Sequence, residues 1–245
     1  MRALVFGVVL ASGPAFAIRP FITDDARVVG GKLVQLESWV QYEDGALLNW
    51  VLPAFGPTDW LELTIGFVHG QVPPHHHGPD PGASHRWGIG GPLVQGKVLL
   101  RPAEAWAPPG VAVVLGSLLP FGSDGVRSPP GFFFFFALTQ NLGEHERVLI
   151  HLNLGASTLM DGQGTAGLLA GIGTQIRLFA GMHLIAETVY GDAYTNIQAF
   201  AVQGGFRYII NDHVQLDASV GVGVAGEPRP WWFSAGIRLV SWALW

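Results

Sequence analysis

Residues 206–224, FRYIINDHVQLDASVGVGV, leave the chain few ways to fold. From His213 the odd positions are His213, Gln215, Asp217, Ser219, Gly221 and Gly223. The even positions are Val214, Leu216, Ala218, Val220, Val222 and Val224. One face is apolar and the other polar or small. That period of two belongs to a strand with a different environment on each face. Just upstream, Val202, Gly204, Phe206 and Tyr208 alternate with Gln203, Gly205 and Arg207, and the two runs meet at a tight Ile-Asn-Asp turn. The pattern predicts a long antiparallel hairpin with strands of roughly ten residues or more. Soluble sheets use about 5–6, whereas a tilted strand crossing a bilayer needs about 9–11.

Composition points the same way. The chain is 49% hydrophobic and 13% charged, against about 25% charged in ordinary soluble domains, so a water-facing surface is poorly stocked. Nine Trp and fifteen Phe argue against disorder despite 34 Gly and 17 Pro. A net charge of −5 excludes a nucleic-acid partner. Arg2, the apolar run 3–11 and Ala15-Phe16-Ala17 read as an export signal over residues 1–17, with the mature chain starting at Ile18. No later run reaches the ~18 apolar residues of a spanning helix. There is no cysteine, so no disulfide holds the fold.

Residues 18–32 show no sheet period and read as a leader, placed in the periplasm or in the lumen, ahead of a barrel over 33–245. Alternation recurs at 33–42, 47–55 and 61–67, then at 87–101, 111–119 and 131–141. It continues at 147–155, 168–178, 182–190, 196–210 and 213–224, and closes with 231–245. In the run Phe132–Phe136 the parity of Thr139 and Asn141 assigns Phe133 and Phe135 to the inner face. The expectation is an all-β transmembrane antiparallel β-barrel of about 12 strands. Hydrocarbon leaves no water to satisfy a sheet edge, and closure removes both edges. Short turns are expected at 56–59, 142–146, 179–182 and 210–213, with a longer one at 101–109. Long loops are expected at 70–86, 120–130 and 157–164, the asymmetry of bacterial outer-membrane barrels.

Arg19-Pro20-Phe21-Ile22-Thr23-Asp24-Asp25-Ala26 resembles the start of a large group of bacterial outer-membrane proteins, transporters of the phenol meta-cleavage-pathway type. HLNLG (151–155), LIAETVYG (184–191) and 206–221 are similar to that family's later strands. The terminal Trp245 resembles an outer-membrane sorting signal, with Ser241 interrupting its apolar row. The resemblance implies export to the bacterial outer membrane and uptake of hydrophobic or aromatic compounds. It implies no catalytic residue.

Parity turns Glu37, Glu62, Lys97, Arg101, Arg147, His151, Arg177, Glu187, Arg207, Asp217 and Arg238 inward. They either form a salt-bridged plug or line a pore that sets selectivity. In the second case Arg207→Glu reverses ion preference. Trp39, Phe133 and Phe135 are inner-face aromatics suited to guiding a ring. His75, His76, His77 and His85, with Asp80, share one Pro/Gly-rich loop. Several imidazoles in one flexible loop fit weak metal binding or simply a solvated loop, and no defined ligand spacing is visible. His151, Asn153 and Ser157 share a face, but no lipase motif accompanies them. The expected function is passive passage of small hydrophobic or aromatic molecules, without catalysis or cofactor. The alternative is a plugged structural or adhesive barrel whose outer loops bind a partner. Outer-membrane lipid and the outer-membrane assembly machinery are the other expected partners.

Overall fold

The computed structural model describes residues 21–73, 86–123, 126, 130–159, 166–195, 198–226 and 231–243. The expected export signal at 1–17, Ile18–Pro20, the histidines at 75, 76, 77 and 85, and Trp245 lie outside the described residues. Twelve strands follow one another as hairpins: β1 (Val34–Glu43), β2 (Ala46–Thr58), β3 (Leu61–Val72), β4 (Arg86–Arg101), β5 (Gly110–Gly122), β6 (Gly131–Asn141), β7 (Val148–Leu159), β8 (Ala166–Phe179), β9 (Met182–Tyr190), β10 (Ala199–Asn211), β11 (Val214–Gly226) and β12 (Trp232–Val240). Every neighbouring pair is antiparallel, and β1 pairs with both β2 and β12. Glu37 therefore stands opposite Leu52 on one side and Arg238 on the other. The barrel is closed and has no edge strand. Among the described residues no helix is long and apolar enough to cross a membrane.

The alternation turns into two surfaces. Leu63, Ile65, Phe132, Phe134, Phe136, Leu154 and Val220 stand exposed on the outside. Their neighbours in sequence, Glu62, Thr64, Phe133, Phe135, Gly155 and Ser219, turn inward. Reversing the register by one residue would put every Phe of the outer row into the lumen, which is why the pairing is so strongly specified. Exposed Trp60, Trp106 and Trp242 ring one end, and Tyr42, Trp87 and Trp231 the other, the placement of interfacial aromatics.

Several boundaries differ from the sequence reading. β2 continues through Gly56-Pro57-Thr58, so only Asp59 and Trp60 turn. β5 continues through Pro120–Gly122 because Phe121 and Gly122 still pair with Gly91 and Gly90. The β1–β2 connection is a two-residue turn, Asp44-Gly45, with both φ positive (49° and 78°), as a tight hairpin requires. It lies at the end that otherwise carries the longer loops, so long and short do not alternate strictly.

Candidate functional site: a plugged, two-sided lumen

The interior of the barrel holds residues 21–29 of the leader. Phe21, Thr23, Asp25, Ala26, Val28 and Val29 are all buried. The segment has no strand partner, so its amides need other acceptors; Asp24 and Asp25 accept from the N–H groups of Asp25 and Arg27 within the segment, and inward side chains of several strands supply others. The Glu187 carboxylate on β9 accepts from the N–H of Ile22 (2.7 Å) and of Thr23 (2.8 Å). Asn153 on β7 clasps Asp24 twice, accepting from its N–H (2.6 Å) and donating to its carbonyl (2.8 Å). Thr139 on β6 accepts from Ala26 N–H at 2.9 Å, and Glu62 on β3 from Val29 N–H at 2.8 Å. Lys97 on β4 pairs with Asp24 (2.9 Å) and Asp25 (3.7 Å). Arg27 bonds Asp25 through Nε (2.7 Å) and Glu146 through Nη1 (2.7 Å). At the short-turn end Gly31 N–H reaches Asp59 (2.8 Å) and Lys32 N–H reaches the Gly56 carbonyl (2.7 Å). The leader thus enters from that end and lies in the lumen.

The remaining inward polar groups support it. Arg207 donates to Asp217 (2.8 Å) and Gln175 (2.6 Å), and its guanidinium sits 5.4 Å from the centre of the Phe21 ring. Gln203 donates to Glu187 and accepts from the Trp232 indole N–H at 3.0 Å. Arg238 donates to Gln35 (2.7 Å), which donates to Glu37 (2.8 Å). His151 Nδ1 lies 3.0 Å from Thr139 Oγ1. Asn153 and His151 are thereby engaged with Asp24 and Thr139 rather than arranged around Ser157 as a hydrolase would need.

Of the lumen candidates, Glu37, Glu62, Lys97, His151, Glu187, Arg207, Asp217 and Arg238 are brought together inside, buried. Arg101, Arg147 and Arg177 are not. They have the inward parity but stand beyond the packed interior, exposed at the short-turn rim. Arg101 donates to the Pro109 carbonyl and Arg177 to the His145 carbonyl. Parity predicts which way a side chain points and says nothing of how far along the axis the filled lumen extends. Arg207 is not a free pore cation either, since its bonds to Asp217 and Gln175 occupy it.

On β1–β6 the lumen turns apolar toward the long-loop end, past the polar groups Glu37, Glu62, Lys97 and Thr139 of the same strands. Trp39, Trp50, Leu52, Val68, Leu93, Val114, Leu118, Phe133 and Phe135, from β1 to β6, form one buried cluster. The Trp39 and Trp50 rings stack at 5.7 Å with 7° between planes, and Phe133 and Phe135 at 6.3 Å. Ala193 and Tyr194, from the β9–β10 connection, join this cluster from the long-loop end. Between them and residues 21–24 remains a cavity of about 60 Å³. Its walls mix Leu52, Ala54 and Phe135 with Thr64, Gln95, Glu37 and Lys97. No cluster of His, Asp or Glu suited to a metal ion occurs among the described residues. Sequence reasoning found Trp39, Phe133 and Phe135 but missed Trp50, Gln95 and Tyr194. Trp50 has the inward parity of its strand and was open to the same argument, whereas nothing local marks Tyr194.

Comparisons with known proteins agree with this architecture. The COG4313 outer membrane channel from Pseudomonas putida F1 superposes with a TM-score of 0.60 at 14% identity, over 85% of this chain and 94% of that one. The KdgM porin gives 0.60 at 10% identity, over 85% and 99% of the two chains. The NanC porin gives 0.53 at 7%, over 84% and 98%. At these identities the likeness is one of fold. No curated protein matches the sequence. The model of a conserved family matches residues 109–240, more than half the chain, from β5 to the end of β12. The chain belongs to that family, the uncharacterised conserved protein UCP029691.

Proposed function

We propose that this chain is a bacterial outer-membrane barrel for passive passage of small hydrophobic or aromatic solutes. The observation that carries this reading is the apolar stretch of the lumen toward its long-loop end. Trp39, Trp50, Leu52, Phe133 and Phe135 offer an apolar, ring-lined inner wall along β1–β6. Against such a wall an aromatic solute gains burial and stacking. The exposed apolar exterior and its two aromatic bands suit insertion in lipid. Reading residues 1–17 as an export signal is in keeping with delivery by the outer-membrane assembly machinery. Fold neighbours described as outer-membrane channels and porins are in keeping with the reading.

A second reading has its own support. The leader and the inward polar network crowd the lumen, and the cavity beside them is only about 60 Å³, which suits a plugged structural or adhesive barrel. Cells with and without the chain separate the two. The expected outcome is faster uptake of naphthalene with no change for arabinose. Equal acceleration of both makes the barrel a general porin. No acceleration of either favours the plugged barrel.

A further inference from the structure

Tyr194 is placed as a bound ligand would be. It does not belong to the wall. β9 ends at Tyr190, and Gly191 then turns the chain with φ +78°, where an added Cβ would lie 2.2 Å from the Leu168 carbonyl oxygen. The buried Asp192 carboxylate accepts from Tyr194 N–H at 3.0 Å and fixes the tight turn. The phenol that follows enters the lumen. Its ring lies 6.0 Å from Trp50 on one strand and 6.0 Å from Phe133 on another, and its hydroxyl donates to Gln95 Oε1 at 3.1 Å on a third. Trp50 is itself backed by Trp39 and Phe133 by Phe135, so the clamp belongs to the wall and does not depend on the loop.

We propose that Trp50, Phe133 and Gln95 form a binding site for a planar aromatic ring carrying a hydrogen-bond donor, held closed by Tyr194 as the chain's own competing ligand. The site deepens the passage reading above and rests on it for its role in transport. Size requires the competition. The adjoining cavity is about 60 Å³, and an apolar cavity that admits benzene is about 150 Å³. A ring therefore enters only where Tyr194 has left. Gln95 supplies the selectivity. Its half-buried carbonyl oxygen stands where the cavity meets the aromatic rings, so a ring lacking a donor replaces the Tyr194 hydroxyl without replacing its hydrogen bond, and such sites discriminate against the analogue without the group.

The test uses 4-methylphenol, the tyrosine side chain as a free molecule, with the refolded full chain in detergent and calorimetry as readout. Tyr194→Ala is expected to bind it about ten-fold or more tighter than the unmodified chain, because a ligand competing with an internal occupant loses affinity by the fraction occupied. In the Tyr194→Ala background, Gln95→Leu is expected to cost about ten-fold against 4-methylphenol and little against toluene. Equal affinity of Tyr194→Ala and the unmodified chain overturns the proposal. So does equal binding of toluene and 4-methylphenol by Tyr194→Ala. Tyr194→Leu keeps apolar packing in the clamp and serves if the alanine variant does not fold, as judged by heat-modifiable gel mobility; it too is expected to bind more tightly than the unmodified chain. A barrel that binds 4-methylphenol in this way yet speeds the uptake of neither naphthalene nor 4-methylphenol keeps the site and loses the passage reading. The opposite pair of results loses the site alone.

Discussion

Single side chains inside this barrel are committed to partners, and that sets what their replacement does. Arg207 is almost wholly buried and bonds Asp217 and Gln175. Removing one member of such a pair leaves an uncompensated buried charge, at a cost of about 3–5 kcal/mol. Arg207→Met is therefore expected to lower stability by about that amount in urea unfolding from lipid vesicles. Adding Asp217→Leu should recover most of the loss, because apolar groups of similar volume replace buried pairs with little penalty. This also revises the expected effect of Arg207→Glu, which places two carboxylates together and breaks the interior before it can alter ion preference. Gly221 makes the same point sterically. An added Cβ would lie 2.1 Å from the Trp232 indole, whose N–H is held by Gln203. Gly221→Ala is expected to cost about 1–3 kcal/mol by overpacking. The effect should shrink in a Trp232→Leu background if that contact is its cause.

At the scale of elements, β6 and the leader face opposite constraints. β6 must present Phe132, Phe134 and Phe136 outward and Phe133 and Phe135 inward. Phe134→Lys is expected to destabilise the barrel in vesicles by about 2–4 kcal/mol, the cost of a cation on the lipid face near the midplane. Asp44→Lys at the exposed β1–β2 turn should be close to neutral, within about 0.5 kcal/mol. A soluble barrel would instead accept Lys at both positions, so the pair of measurements tests the membrane assignment. The leader has no ladder and relies on individual acceptors. Glu187 holds two of its amides, those of Ile22 and Thr23. A hydrogen bond to a charged group contributes about 1.5–3 kcal/mol, so Glu187→Leu should accelerate hydrogen exchange at Ile22 and Thr23 by roughly ten-fold or more. Exchange in the strands should stay slow. Unchanged protection of these two amides would mean that the ion pairs of Asp24, Asp25 and Arg27 hold the leader by themselves.

For the whole molecule, the closed ladder, the leader and the Tyr194 connection stand in series along one axis. The leader blocks the short-turn side and Tyr194 the long-loop side, with the cavity between them. In planar bilayers the full chain is expected to stay silent, and removal of residues 18–31 alone or Tyr194→Ala alone to open it only partly. The two changes together should give stable conductance. Full conductance on removing the leader alone would leave Tyr194 without a share in closure. Silence of the doubly altered barrel, shown folded by its gel mobility, would mean that the wall side chains themselves close the lumen.

The strand pattern was legible in sequence because the period of two is a local property. Val214 to Val224 face lipid and Gln215 to Ser219 face inward wherever the strand sits, and hydrocarbon then demands closure. That reasoning reached β6 and β9 to the residue, and it placed Trp39, Phe133 and Phe135. It failed at Gly56–Thr58 and Pro120–Gly122, where proline and glycine suggest turns but cross-strand pairing continues. It also failed at Arg101, Arg147 and Arg177, because parity gives direction and not depth. The contents of the lumen were decided by tertiary structure alone. The amides of Ile22, Thr23, Asp24, Ala26 and Val29 find acceptors 33 to 165 positions away in the chain. Tyr194 finds Gln95 99 positions away, with Trp50 and Phe133 on two further strands. No local pattern encodes such contacts. They exist only once twelve strands have closed around a space that must be filled and every buried polar group must find a partner.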